Sequence, residues 1–160
     1  MAISNSHSNI ESSRQSRQFS TFYLADLFFG VDVLHVQEVL RFQSMTPVPK
    51  APNVVEGLIN LRGQIVAAID MRRRLRLPPR PSDQPPIVVV VKTSDGTVSL
   101  LVDEIGDVMQ MNVSDYERAP ANIDPAAREI IRGVYKLKDR LLLVLDEERT
   151  ADLTIGMTAQ

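Results

Sequence analysis

Two stretches of this sequence repeat one plan at an offset of 76 residues, with Gly57 falling on Gly133. At that offset Pro49 meets Pro125, Val54 and Val55 meet Ile130 and Ile131, Leu61 meets Leu137, Ile65 meets Leu141, Ile69 meets Leu145 and Asp70 meets Asp146. The shared plan is a helical turn, a glycine, a strand, a tight turn, a second strand and an aspartate. A weaker echo links Gly30-Val-Asp-Val33 with Leu101-Val-Asp-Glu104, each an apolar stretch running into an aspartate. A unit of about 65 residues with about five strands buries too little apolar surface to be comfortable alone. The repeat therefore predicts two small units packed on each other.

The local pattern is all-β: short apolar and β-branched runs broken by Gly, Pro, Asn and Asp. Strands are expected at residues 19–24, 30–36, 57–61, 64–70, 87–92, 97–102, 133–137 and 140–146. Lys92-Thr-Ser-Asp-Gly-Thr97 reads as a hairpin turn, with Gly96 free to take positive φ. Helical turns are expected at residues 53–56 and 125–132, each closed by a glycine, and the second has Asp124 as N-cap and Pro125 as its first residue. The proline-rich stretch 77–86 supplies few ladder donors and reads as a linker. These signals divide the chain into a polar, Ser-rich disordered tail at 1–18, a folded region at 19–153 and a short tail at 154–160. Within the folded region the first unit is expected over roughly 30–86 and the second over roughly 87–153, with strand 19–29 able to join the second.

Composition removes several function classes. The chain has no cysteine, so it has no disulfide framework, thiol nucleophile or thiolate metal site, which fits a reducing compartment such as the cytoplasm. No apolar run approaches the roughly 18 residues that span a bilayer, so no direct membrane insertion is expected. A net charge of −2 with interspersed signs gives no reason to expect a nucleic-acid partner. The one basic cluster, Arg72, Arg73, Arg74, Arg76 and Arg80, reads as a solvated loop or as a surface for an acidic partner.

No chemistry-bearing constellation emerges. The two histidines, His7 and His35, fall in the tail and in a strand with no second ligand at metal spacing, and no glycine-rich loop opens a helix that could cradle phosphate. No cofactor or metal is expected. Asp103, Glu104 and Asp107 cluster in sequence, but carboxylates at a strand end usually face water, so no catalytic residue is assigned and a small β-barrel ligand-binding protein remains the reading from another class. Leu27, Phe28, Met109 and Met111 are apolar where turns should be polar. They fill the junction between the units or mark a partner site.

The stretch Gly57-Leu-Ile-Asn-Leu-Arg-Gly-Gln-Ile-Val-Ala-Ala-Ile-Asp-Met-Arg72 resembles the signature of the CheW family of chemotaxis coupling proteins. Phe29-Gly-Val-Asp-Val-Leu-His-Val-Gln-Glu-Val39 is similar to that family's first hairpin arm, and Leu101-Val-Asp-Glu-Ile-Gly-Asp-Val108 to its second-half motif. The resemblance covers roughly residues 19–153 and implies two five-stranded SH3-like β-barrels on a shared core, with no catalytic activity. It implies a cytoplasmic adaptor, associated with receptor arrays at the inner membrane. Its partners would be the regulatory domain of a CheA-type histidine kinase and the cytoplasmic tip of a methyl-accepting chemoreceptor. By motif position Val36 and Gly57 would face the kinase, and Glu38 and Arg62 would form an ion pair associated with receptor coupling. A CheW-like scaffold of a non-flagellar array, for pili or surface motility, is the alternative within the same fold. The chain departs from the family at Ala67, where proline is common, and at Leu27 and Phe28, where polar residues are common.

Overall fold

The computed structural model describes residues 15–153. The expected tails at residues 1–14 and 154–160 lie outside the described residues, whereas Ser16, Arg17 and Gln18, expected in the tail, are in a strand paired with Asn112, Met111 and Gln110.

Among the described residues twelve strands follow in chain order: β1 (Ser16–Leu24), β2 (Leu27–Asp32), β3 (Val36–Leu40), β4 (Val55–Leu61), β5 (Gln64–Asp70), β6 (Ile87–Thr93), β7 (Gly96–Val102), β8 (Glu104–Ile105), β9 (Met109–Asn112), β10 (Tyr116–Glu117), β11 (Ile131–Lys136) and β12 (Leu141–Leu145). They form two sheets. One has five strands in the order β3-β6-β7-β5-β4. The other has seven in the order β10-β11-β12-β2-β1-β8, with β9 also on β1. The extra members of the larger sheet are short strands that carry no run long enough to read from sequence.

The repeat is visible in the backbone. The Asp70 amide donates to the Val54 carbonyl and the Asp146 amide to the Ile130 carbonyl, both at 2.8 Å, 76 positions apart at donor and acceptor alike. Both aspartates then cap helices: Asp70 caps α1 (Met71–Arg74) and Asp146 caps α3 (Glu147–Ala151), while Asp124 caps α2 (Pro125–Arg128). Gly57 and Gly133 are not helix caps, as the sequence suggested. Each follows a register shift in its hairpin, and of the helical turn expected at 53–56 only residues 53 and 54 form a turn, with 55 and 56 already in β4. A Cβ on Gly57 would come within 2.8 Å of the Thr46 carbonyl, and one on Gly133 would meet the Tyr116 ring and the Glu117 carbonyl. The glycines are there because another segment crosses close by.

The division expected near residue 87 is displaced. The hairpin β6–β7 completes the five-stranded sheet, where β7 runs parallel to β5. The hairpin β1–β2 completes the seven-stranded sheet, where β2 runs parallel to β12. Each repeat thus lends its first hairpin to the other's sheet, and the five-stranded unit is the continuous stretch from Val36 to Val102. The chain crosses between sheets twice, at Asp32 and at Asp103, which gives the weaker aspartate echo its meaning.

Three apolar clusters follow from strand alternation. Ile59, Leu61, Val66, Ala68, Val88, Val90 and Leu101 fill the five-stranded unit. Phe19, Phe28, Tyr135, Leu142 and Val144 fill the seven-stranded one. The opposite faces, including Phe22, Phe29, Val89, Val91, Leu100 and Leu143, meet in a shared core. Leu27 packs on the shared core, Met109 and Met111 pack on the cluster of the seven-stranded unit, and the Arg140 guanidinium covers the Phe28 ring at 5.2 Å. All four surplus apolar residues therefore serve the interior.

Candidate interaction surface

Residues 61–64 set the geometry of the first candidate site. Leu61 and Gln64 pair across β4–β5, and the two residues between them both take positive φ, Arg62 at 53° and Gly63 at 87°. This is the mirror-image turn that matches strand twist. Asn60 Oδ1 accepts the Gly63 amide at 2.9 Å and holds the turn closed. The left-handed conformation costs a non-glycine residue about 1–2 kcal/mol. From this position Arg62 reaches Glu38 on β3 with two hydrogen bonds, Nη1 to Oε2 and Nη2 to Oε1, each 3.1 Å. The pair joins the turn of β4, one edge of the five-stranded sheet, to β3, the other edge.

Arg62 is 81% exposed and Glu38 17%. An ion pair with so exposed a partner is worth about 0–1 kcal/mol, no more than the turn's strain costs. The arrangement therefore does not repay itself in stability, which directs attention to what it presents: a fork-shaped cation fixed at a strand tip.

Val36 and Gly57 occupy different surroundings. Val36 opens β3, half-buried against the shared core. Gly57 is buried under Met45 and Thr46, and Thr46 pairs with Leu58 through backbone bonds of 2.9 and 2.8 Å. Register nevertheless links the two positions. A cross-strand row runs Val36, Val91, Val98, Ala67, Leu58, one residue from each of the five strands. Val91 is buried and the other four are half-buried, and Ile65, two places along β5 from Ala67, is 60% exposed. The sheet thus carries an apolar row and, beyond the β4–β5 tip, a charged pair.

Three of the five arginines of the basic cluster, Arg72, Arg74 and Arg80, are drawn into the fold, while Arg73 and Arg76 stay exposed. Arg72 donates to Asp103 from Nη2 at 2.7 Å and from Nε at 3.0 Å, and Arg80 donates to it from Nε at 3.0 Å. Asp103 Oδ2 also accepts the Ala25 amide at 2.7 Å. Burial alone would raise the Asp103 pKa. The Arg72 hydrogen bonds, the Ala25 amide and the two guanidinium charges outweigh it and leave the carboxyl below its ordinary value. Arg73 pairs with Glu56 at 2.8 Å, and Arg74 is buried against Glu129 and the Arg149 and Thr150 carbonyls. Asp103 is thus the hub of a crossing point, tying the β1–β2 turn, α1 and the proline-rich segment. Its oxygens are spent on the fold, and Glu104 and Asp107 are exposed, so the three acids do not form one site. Asn60 and this hub were missed from sequence. An Asn three residues before the turn glycine is the signal that could have found the first.

The profile of the CheW-like domain matches residues 18–154. The chain is 29% identical over 133 residues to Chemotaxis protein CheW of Klebsiella aerogenes, covering 83% of this chain and 80% of that protein. It is 30% identical over 131 residues to Chemotaxis protein CheW of Bacillus subtilis, covering 82% and 84%. It is also similar to Protein FrzA of Myxococcus xanthus, at 28% identity over 74% of each. Among solved structures, the scaffolding protein TtCheW from Thermoanaerobacter tengcongensis superposes with a TM-score of 0.76 at 26% identity, over 85% of this chain and 92% of that one.

Proposed function

Since the chain belongs to the CheW-like family, we propose that it is a non-catalytic cytoplasmic adaptor that couples chemoreceptors to a CheA-type histidine kinase in bacterial chemotaxis. The observation that carries the reading is a pair of unlike features on one sheet: the Glu38–Arg62 fork at the β4–β5 tip, and the half-buried apolar row from Val36 to Leu58 with the exposed Ile65 beside it. The fork suits the helical tip of a receptor, where a rigid guanidinium can meet a carboxylate or backbone carbonyls at a helix end. The apolar row suits the regulatory domain of the kinase, with Val36 in the contact and Gly57 acting through the Met45–Thr46 segment that covers it. Such a molecule needs no chemistry of its own. It holds two partners in one geometry, so that a conformational bias in the receptor becomes a free-energy bias on the kinase.

The test is titration of the purified chain with the kinase regulatory domain and, separately, with a receptor-tip fragment. The reading requires saturable binding to both by wild type, loss of receptor binding in Arg62→Ala, and loss of kinase binding in a variant of the apolar row such as Val36→Asp. Binding to neither partner by a folded chain would reject it. The setting, flagellar or otherwise, is decided by whether receptor tips of a flagellar array bind. Failure with those tips alone would favour a CheW-like scaffold of a non-flagellar array, a reading to which the FrzA similarity lends support.

A further inference from the structure

A cavity of about 260 Å³ opens on the seven-stranded unit, and neither Glu38 nor Arg62 lines it. Its walls are apolar where Phe19, Val113, Val144 and Leu145 line it and polar elsewhere. A volume near 150 Å³ already accepts a benzene ring, so this one holds a ring with a small polar group attached.

The hydrogen-bonding capacity left over in the cavity is one-sided. Its two carboxylates are spent: Asp32 accepts the Leu34 amide at 2.9 Å and Arg17 Nη1 at 3.3 Å, and Glu147, 3% exposed, is held by His35 Nδ1 at 3.1 Å and Arg132 Nη2 at 3.2 Å. The donors are not. Arg17 uses one terminal nitrogen, Nη1, and Arg132 one, Nη2, so each guanidinium keeps unused N–H groups. Tyr135 is 1% exposed, and its hydroxyl makes no hydrogen bond among the described residues. Burial and the neighbouring Tyr116 hold that hydroxyl above its ordinary pKa, so it stays a proton donor. A hydroxyl at the cavity wall with no partner among the described residues, beside two guanidinium groups with spare N–H bonds, suits an acceptor carried on an apolar body.

We propose that this cavity binds a small monocarboxylate, its apolar body against Phe19, Val113 and Val144 and its carboxylate accepting from the Tyr135 hydroxyl and the unused N–H groups of Arg17 and Arg132. The site would let a small acid act on coupling. His35, which latches Glu147 at the cavity wall, directly precedes Val36 at the start of β3, so occupancy bears on the strand that carries Glu38.

The probe is benzoate, added to the full chain and followed by amide and tyrosine ring shifts in NMR, with benzyl alcohol as the neutral comparator. The site requires saturable binding of benzoate with shifts centred on Tyr116, Tyr135 and Val144, and much weaker binding of benzyl alcohol. Tyr135→Phe should lower benzoate affinity roughly tenfold or more, the effect of losing one hydrogen bond to a charged group. If that variant unfolds, Arg17→Gln, at a half-exposed position, carries the same expectation. Equal binding of benzyl alcohol, shifts elsewhere, no saturation, or an affinity unchanged in the folded variants would each overturn the proposal.

Discussion

Replacing Asp103 with alanine should destabilise the whole domain, because this carboxylate joins three segments at the point where the chain crosses between sheets. The substitution strands the Arg72 and Arg80 side chains, 15% and 10% exposed, together with the Ala25 amide. Removing one partner from a buried pair costs roughly 3–5 kcal/mol, against about 0–1 kcal/mol for an exposed pair. The slight exposure here places the cost near the lower end, about 3 kcal/mol. That is a large share of the roughly 5–15 kcal/mol that domains possess. For a chain of this size, 1 kcal/mol moves the melting temperature by about 2–4 °C, so a drop of about 6–12 °C is expected. Thermal and urea unfolding followed by circular dichroism measure it. A matched variant, Arg72→Met with Arg80→Met and Asp103→Leu, removes the charges together and should recover part of the loss. A shift below about 2 °C in Asp103→Ala would refute the reasoning and return the basic cluster to a solvated surface role.

The same carboxyl predicts an acid limit. Its pKa lies below the ordinary 3.8 in the folded state, so its contribution is complete above 3.8 and is lost as pH falls from there through the lower folded value. Unfolding midpoints of wild type should fall over that window, and those of Asp103→Asn should fall less steeply. Arg62→Ala should keep its melting temperature within about 3 °C, since an exposed pair is worth about 0–1 kcal/mol, while losing receptor-tip affinity in a binding titration. Asn60→Ala should weaken receptor binding in wild type but add nothing in the Arg62→Ala background, a double-mutant cycle that reads the turn through the residue it aims. Gly57→Ala should cost about 1–3 kcal/mol in urea unfolding, because its Cβ would meet the Thr46 carbonyl at 2.8 Å.

The residues that announced themselves in the sequence did so through local rules. The Arg62-Gly63 turn and the Asp124-Pro125 helix start are each set by neighbours in sequence, and the repeat carried the Asp70 and Asp146 bonds with it, whereas the paired glycines answer to segments that cross from elsewhere along the chain. Strand partners were a different matter. The run from Ile87 to Val91 fits a core strand in either sheet, and nothing in its composition says that β6 and β7 pair with β3 and β5. The basic cluster misled for a related reason. Arg72 and Arg74 look like a solvated run until the fold brings Asp103 and Glu129 to them from 31 and 55 positions away. The fork at Arg62 was legible as a turn and, through the family resemblance, as a pair. Its strain and its reliance on Asn60 needed coordinates.

The central claim is that one molecule engages kinase and receptor at once through separate faces. Sedimentation velocity of the chain mixed with the kinase regulatory domain and a receptor-tip fragment tests it directly. The account predicts a ternary complex, with receptor-tip binding retained at saturating kinase domain. Displacement of one partner by the other would place both on a single face and contradict it.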